Sequence, residues 1–191
     1  MRGVLLLIFF LVQRCVLAQN TGSIDQMMND ANYVEALQQV DRQLLQANGT
    51  QLLVLQNKKV QLQILLGKLD EAEATINQIV ATDFFGEAFT LSNLGYLQLN
   101  KSRFDLAVET LQLAWEKFQI AQKQSTAEAA DCLSRLSQVY RTQGKQNQAL
   151  EFETMALQTR QKLFGDNSEE VAASYNELGL IHTLSDNDLD K

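Results

Sequence analysis

The sequence predicts an all-α chain in which helix pairs stack into a solenoid, and three observations predict it. The stretch from Leu91 to Ala156 states one pattern twice. Leu94-Gly95 and Leu136-Ser137 stand 42 residues apart, as do Ala107 and Ala149, and Ala114 and Ala156, and a third copy opens at the same interval with Leu178-Gly179. Self-similarity at a fixed period marks a stack of supersecondary units. The 191 residues include no proline and only nine glycines, so there are few hard breaks and helices are favoured over strands and turns. Leucine and alanine recur at helical spacing, which places many of the 23 glutamines on solvent faces of helices rather than in a disordered tract.

Residues 1–18 are a different material. Arg2 supplies a positive start, Val4 to Val12 form an apolar run, and Val16-Leu17-Ala18 offers small residues at a cleavage position. This reads as a secretory signal peptide cut after Ala18, too short for a membrane span, which needs roughly 20 apolar residues. Its removal takes two arginines and no acid from a chain of net charge −7, leaving Cys132 as the lone cysteine. An acidic surface repels phosphate backbones, so nucleic acid is excluded as a partner. No intrachain disulfide is available to the mature chain.

From residue 19 onward the helices follow in order. Ser23 with Gln26 resembles a capping box opening a short helix, and Asp30-Ala31-Asn32 turns the chain. Tyr33 starts a helix carrying Ala36, Val40 and Leu44 on one face, with Asn48-Gly49 as its end. Gln51 to Leu66 is next, and Gly67 to Ala72 turns into a partner running through Ile76, Ile79 and Val80, closed by Phe84-Phe85-Gly86. Glu87 to Leu99 then pairs with a helix whose buried stripe is Ala107, Leu111, Ala114, Phe118 and Ala121, with Trp115 beside it as core filler. Ser125 with Glu128 caps Ala127 to Gln143, Gly144 breaks it, and Gln148 to Phe164 pairs back. Asn167 with Glu170 caps the last full helix, Val171 to Leu184. Asn48-Gly49-Thr50 and Asn100-Lys101-Ser102 match the glycosylation acceptor pattern.

The repeat resembles the tetratricopeptide repeat, whose pattern is Trp or Leu, Leu-Gly, Tyr, then a small residue, an aromatic and Ala. Leu91, Leu94-Gly95, Ala107, Leu111 and Ala114 satisfy it, with Gln98 in the Tyr place. Leu133, Leu136, Tyr140, Gly144, Ala149 and Ala156 satisfy it again, with Ser137 for the Gly and Glu153 for the aromatic; Tyr175, Leu178-Gly179 and His182 open a third copy. The 42-residue spacing is similar to the longer subtype of kinesin light chains and many bacterial proteins. The stretch from Leu163 to Ala172 resembles that subtype's linker, with Asn167-Ser168 where His-Pro is usual. The resemblance implies a right-handed solenoid of antiparallel helix pairs with about four partial or complete repeats. Residues 19–82 form degenerate N-terminal repeats and residues 83–191 regular ones, the last incomplete, as in a fragment or a chain that continues.

Family geometry implies a concave groove on the first helix of each pair. It maps onto Ser92, Tyr96 and Leu99 in one unit, Ser134, Arg135, Gln138 and Arg141 in the next, and Asn176 and Leu180 in the last. Tyr and Arg anchor partners, and amide side chains pair with an extended peptide backbone. Arg135 and Arg141 together form a positive spot for a carboxylate or carbonyl of a bound peptide. The Lys/Asn/Arg clamp with which chaperone-tail-binding members hold a terminal carboxylate is not reproduced.

No catalytic, cofactor-binding or metal-ligating set is legible. His182 is expected as a packed core residue on an inward face, and Cys132 as a small buried one. Asp186, Asp188 and Asp190 lack the Gly and closing Glu of a calcium loop. The functional expectation is an exported, non-catalytic module that binds a protein or peptide and spans no membrane after signal cleavage. Its rival is the sensory or scaffolding front of a larger exported bacterial protein, with a caspase-like (CHAT) protease or histidine kinase domain after Lys191.

Overall fold

The computed structural model describes residues 24–187, so the signal peptide expected over residues 1–18, the expected Ser23 cap and residues 188–191 lie outside it. Every regular element among the described residues is a helix. After α1 (24–29) come α2 (Tyr33–Leu44), α3 (Gly49–Leu65), α4 (Leu69–Ile76), α5 (Phe84–Asn100), α6 (Phe104–Ile120), α7 (Ala127–Thr142), α8 (Gln146–Phe164) and α9 (Glu169–Asn187). Neighbours in sequence pack as hairpins, and α3, α5, α7 and α9 also touch in succession. That is the wiring of a solenoid, with α1, α3, α5, α7 and α9 as the leading helices of successive pairs.

Five of the connections between helices turn alike because their backbone chemistry is alike. Ala31, Gly67, Ser102, Gln122 and Gly144 all sit at φ between +55° and +72°. Each follows a helix end where the next residue's N–H reaches back five residues, as in Arg103 to the Gln98 carbonyl (2.8 Å) and Lys145 to the Tyr140 carbonyl (2.9 Å). This Schellman turn satisfies the orphan carbonyls of the helix C-terminus.

Close backbone approach explains the repeated small residues. A Cβ built on Gly95 would lie 2.5 Å from Leu111 Cγ, so α5 crosses α6 where no side chain fits. At the equivalent crossing of α7 and α8, Ser137 is buried and donates to the Ala149 carbonyl at 2.8 Å. The stripe Ala107, Leu111, Ala114 and Phe118 is sealed from solvent and joins Cys132, Leu136 and Tyr140 in the largest core, against which Trp115 packs.

Several element ends differ from the sequence expectation, each for a local reason. Gly49 does not stop α2; at φ +52° it begins α3, after α2 has ended at Leu44. α4 stops at Ile76, leaving Val80 exposed. Phe84-Phe85-Gly86 opens α5, because the Asp83 carboxylate accepts from the Gly86 N–H at 2.7 Å and caps it. Thr126 rather than Ser125 caps α7, and Ser168 rather than Asn167 accepts from the Val171 N–H at 3.3 Å. His182 is exposed and its neighbour Ile181 is buried instead. Among the described residues no helix follows α9 to cover the side on which His182 was expected to pack.

Candidate functional site

A chain of buried polar side chains runs across the leading helices. Asn57 of α3, Asn93 of α5 and Arg135 of α7 form it; Asn93 and Arg135 hold the same repeat register, 42 residues apart, and Asn57 stands 36 residues before Asn93, one residue out of that register. Asn57 donates to the Leu53 carbonyl (3.0 Å), Asn93 donates to Asn57 Oδ1 (2.8 Å), and Arg135 Nη1 donates to Asn93 Oδ1 (2.9 Å) and Ser92 Oγ (2.8 Å). Buried amides that satisfy one another fix the register of stacked helices. They also fix the guanidinium of Arg135, which lies over the Tyr96 ring with Cζ 4.8 Å from the centroid.

Arg135 forms part of the wall of a cavity of about 210 Å³ that Met28, Gln61, Leu65, Tyr96, Asp131, Ser134, Gln138 and Arg160 complete. A second cavity, of about 310 Å³, shares Met28, Gln61, Asp131 and Arg160 with the first and extends to Phe89, Glu128, Phe164 and Glu170. The two make one continuous depression along the leading helices.

Its floor is held by a second network. Glu153 of α8 is sealed from solvent and accepts from Ser134 Oγ (2.8 Å) and Arg160 Nη1 (3.4 Å). Arg160 also reaches Ser174 Oγ of α9 (2.7 Å) and Asp131 Oδ1 of α7 (2.9 Å). Burial pushes the Glu153 carboxyl above its usual range, against the opposing pull of Ser174, Ser134 and the Arg160 charge.

Of the groove residues read from sequence, Tyr96, Ser134, Arg135 and Gln138 meet around the first cavity. Ser92 is fully buried and serves as an acceptor for Arg135 rather than as a contact surface. Leu99 is half-buried against the core. Arg141 is not a free cation, since its Nε donates to Glu177 Oε1 at 2.6 Å. The expected positive spot therefore reduces to Arg135. Asn176 and Leu180 are exposed on α9 and line neither cavity. Gln61 was missed although it stands 35 residues before Tyr96, the separation of Ala72 and Ala107, so carrying that shorter period into α3 finds it. Arg160 and Met28 carry no such signal, because they reach the groove from α8 and α1.

Cys132 is not activated as a nucleophile. Burial pushes the Cys132 thiol up to about 12, and its S–H points at the Leu111 carbonyl. Among the described residues no cluster of His, Cys, Asp and Glu is placed to hold a metal. What the groove offers is hydrogen bonding: amides at Gln61 and Gln138, the hydroxyl oxygen of Ser134 as an acceptor, and guanidinium N–H groups.

Comparison with known proteins decides what the repeat is, since residues 129–170 match the tetratricopeptide repeat family. Those residues form a tetratricopeptide repeat. The match covers α7, α8 and the start of α9, the part that carries Ser134, Arg135, Gln138 and Glu153. Solved structures extend the likeness to most of the chain. BtubC (BKLC) from P. vanneervenii is 21% identical with a TM-score of 0.61, over 87% of this chain and 68% of that one. The nearly identical TPR-like repeats of a Podosopora anserina kinesin-light-chain-type protein are 14% identical with a TM-score of 0.56, over 91% and 89%. At such identities the likeness is one of fold. No curated protein shows significant similarity to the chain.

Proposed function

We propose that this tetratricopeptide-repeat chain is a non-catalytic, exported interaction module that holds an extended segment of a partner protein in its concave groove. The observation that carries the reading is the meeting of Tyr96, Ser134, Arg135, Gln138 and Gln61 around one open cavity along the leading helices. Amide and hydroxyl groups in a row suit the main chain of an extended peptide, and an aromatic ring beside a guanidinium suits one anchoring side chain. Export rests on the charge-then-apolar pattern of residues 1–18. Among the described residues no helix is long and apolar enough to cross a membrane.

Photo-crosslinking tests the groove directly. A benzophenone amino acid at Gln138 is expected to trap a partner polypeptide from the exported fraction. The same group at the exposed Glu109 of α6 is expected to trap none. Equal labelling from both positions would move the binding face away from the groove. Amino-terminal sequencing of the mature protein, expected to begin at Gln19, tests the export step.

A further inference from the structure

Arg135 is buried to 8% exposure, and among the described residues no carboxylate lies within ion-pair distance of it. A desolvated guanidinium ordinarily keeps an acid beside it, as Arg160 does with Asp131 and Glu153, and Arg141 with Glu177. Arg135 instead spends both Nη1 hydrogens on neutral oxygens, those of Ser92 and Asn93. Its Nε–H and Nη2–H edge has no partner among the described residues. Neither nitrogen is among the buried atoms sealed off without a partner, so this edge opens to the cavity that Arg135 lines. That edge is the one a carboxylate grips with two parallel hydrogen bonds.

The adjoining cavity has the opposite character. Glu128 and Glu170 both line it, hold the same repeat position 42 residues apart, and have no ion-pair partner among the described residues. Asp131 and Asp25 line it too, but they are already matched by Arg160 and Lys58. Phe89 and Phe164 add aromatic surface to this acidic end. Among the described residues, one groove thus presents an uncompensated cation in its first cavity and uncompensated acids in its second.

Resting on the groove reading, we propose that the occupant is a mixed-charge peptide segment. One carboxylate docks on the Nε/Nη2 edge of Arg135, and a basic side chain lies in the cavity of Glu128 and Glu170. The opposed charges select the direction in which the segment lies, because reversing it puts acid on acid and base on base. A carboxylate from an Asp or Glu side chain and one from a chain terminus share this chemistry.

Calorimetry with synthetic peptides on residues 19–191 tests the assignment. The probes are blocked twelve-residue peptides of Ala, Ser and Gln carrying one Glu and one Lys, two to six residues apart in either order. Matched probes replace Glu or Lys by Gln, and one replaces Glu by Gln but leaves the C-terminus free. At one order and spacing, Glu→Gln in the peptide is expected to weaken binding about tenfold in the wild type and not at all in Arg135→Gln. Lys→Gln is expected to weaken binding about threefold in the wild type and not in the Glu128→Gln/Glu170→Gln variant. Recovery of the lost affinity by the free C-terminus would assign the site to a chain end, and no recovery would assign it to a side chain. An unchanged Glu preference in Arg135→Gln overturns the anion site. Should that variant lose its helical melt, Arg135→Lys, which keeps the charge without the paired edge, is expected to retain only part of the preference, and full retention overturns the site. If all probes bind the wild type equally, the charge assignment falls and the groove stands; if none binds, both fall.

Discussion

Gly95 and Gly179 occupy the same place in two copies of the repeat, yet the side chains around them differ. At Gly95 an added Cβ meets Leu111 Cγ at 2.5 Å and Cδ2 at 2.7 Å, while at Gly179 it meets nothing within 4 Å. Gly95→Ala is therefore expected to destabilise by about 1–3 kcal/mol through overpacking. Gly179→Ala is expected to stabilise by roughly 0.5–1 kcal/mol through helix propensity alone. Urea denaturation of the two variants checks the pair, and equal effects would remove the crossing from the account. Glu153 gives a second prediction at this scale. Its carboxyl is raised by burial, so the folded chain holds that proton more tightly than the unfolded chain does. The stability it contributes is complete below the unfolded pKa and is lost as pH rises through the folded one. Relative to Glu153→Gln, the wild type is expected to gain stability as pH is lowered from 8 toward 4, opposite in sign to ordinary acid denaturation; a pH-independent difference between the two melts would refute it. Neither residue role was legible in full. The Leu-Gly pair marks a crossing only where a second helix lies across it, and Glu153 looked like a failed aromatic because its partners Ser134, Arg160 and Ser174 lie on three different helices.

Helix boundaries show what periodicity resolves and what it does not. The pairing of α5 with α6 and of α7 with α8 follows from apolar spacing, and the structure has both. The caps moved by one residue at Ser125/Thr126 and Asn167/Ser168, because adjacent polar residues compete for the same N–H groups and only backbone geometry chooses. The buried ladder of Asn57, Asn93 and Arg135 stayed hidden for a different reason. A polar residue inside a helix reads as a solvent face unless the facing helix is known, and Asn57 stands one residue off the repeat register that Asn93 and Arg135 share. At this scale the turns make a prediction of their own. Ser102 and Gln122 hold φ +58° and +56° at positions where Gly67 and Gly144 stand in the sister turns. A side chain in the left-handed region costs about 1 kcal/mol relative to glycine. Ser102→Gly and Gln122→Gly are each expected to raise stability by about 0.5–1 kcal/mol, read from the urea midpoint at unchanged slope. A loss of stability in both would mean that these side chains offset the strain through contacts of their own.

Stacked repeats are stabilised by neighbours, so stability across the whole molecule should follow the number of faces each helix has covered. The largest core joins α5, α6, α7 and α8, with Ile181 of α9 at its border. α9 packs on α8 and touches α7, and Tyr175 and Leu180 remain exposed on its far side. Its tie to α7 is polar: Arg141 Nε to Glu177 Oε1 at 2.6 Å, with Glu177 buried to 8% exposure. Arg160 adds a tie from α8 through Ser174. Hydrogen exchange on the native chain should therefore rank α5 to α8 as the most protected helices and α9 as an outer unit that opens alone. Arg141→Gln leaves Glu177 buried without its cation, a loss of about 1–3 kcal/mol, or roughly a tenfold or larger rise in opening. That rise is expected in the amides of α9 and not in those of α5 or α6. If protection falls by the same factor in all of these helices, the repeats open as one cooperative body, and the nearest-neighbour account of this solenoid is wrong.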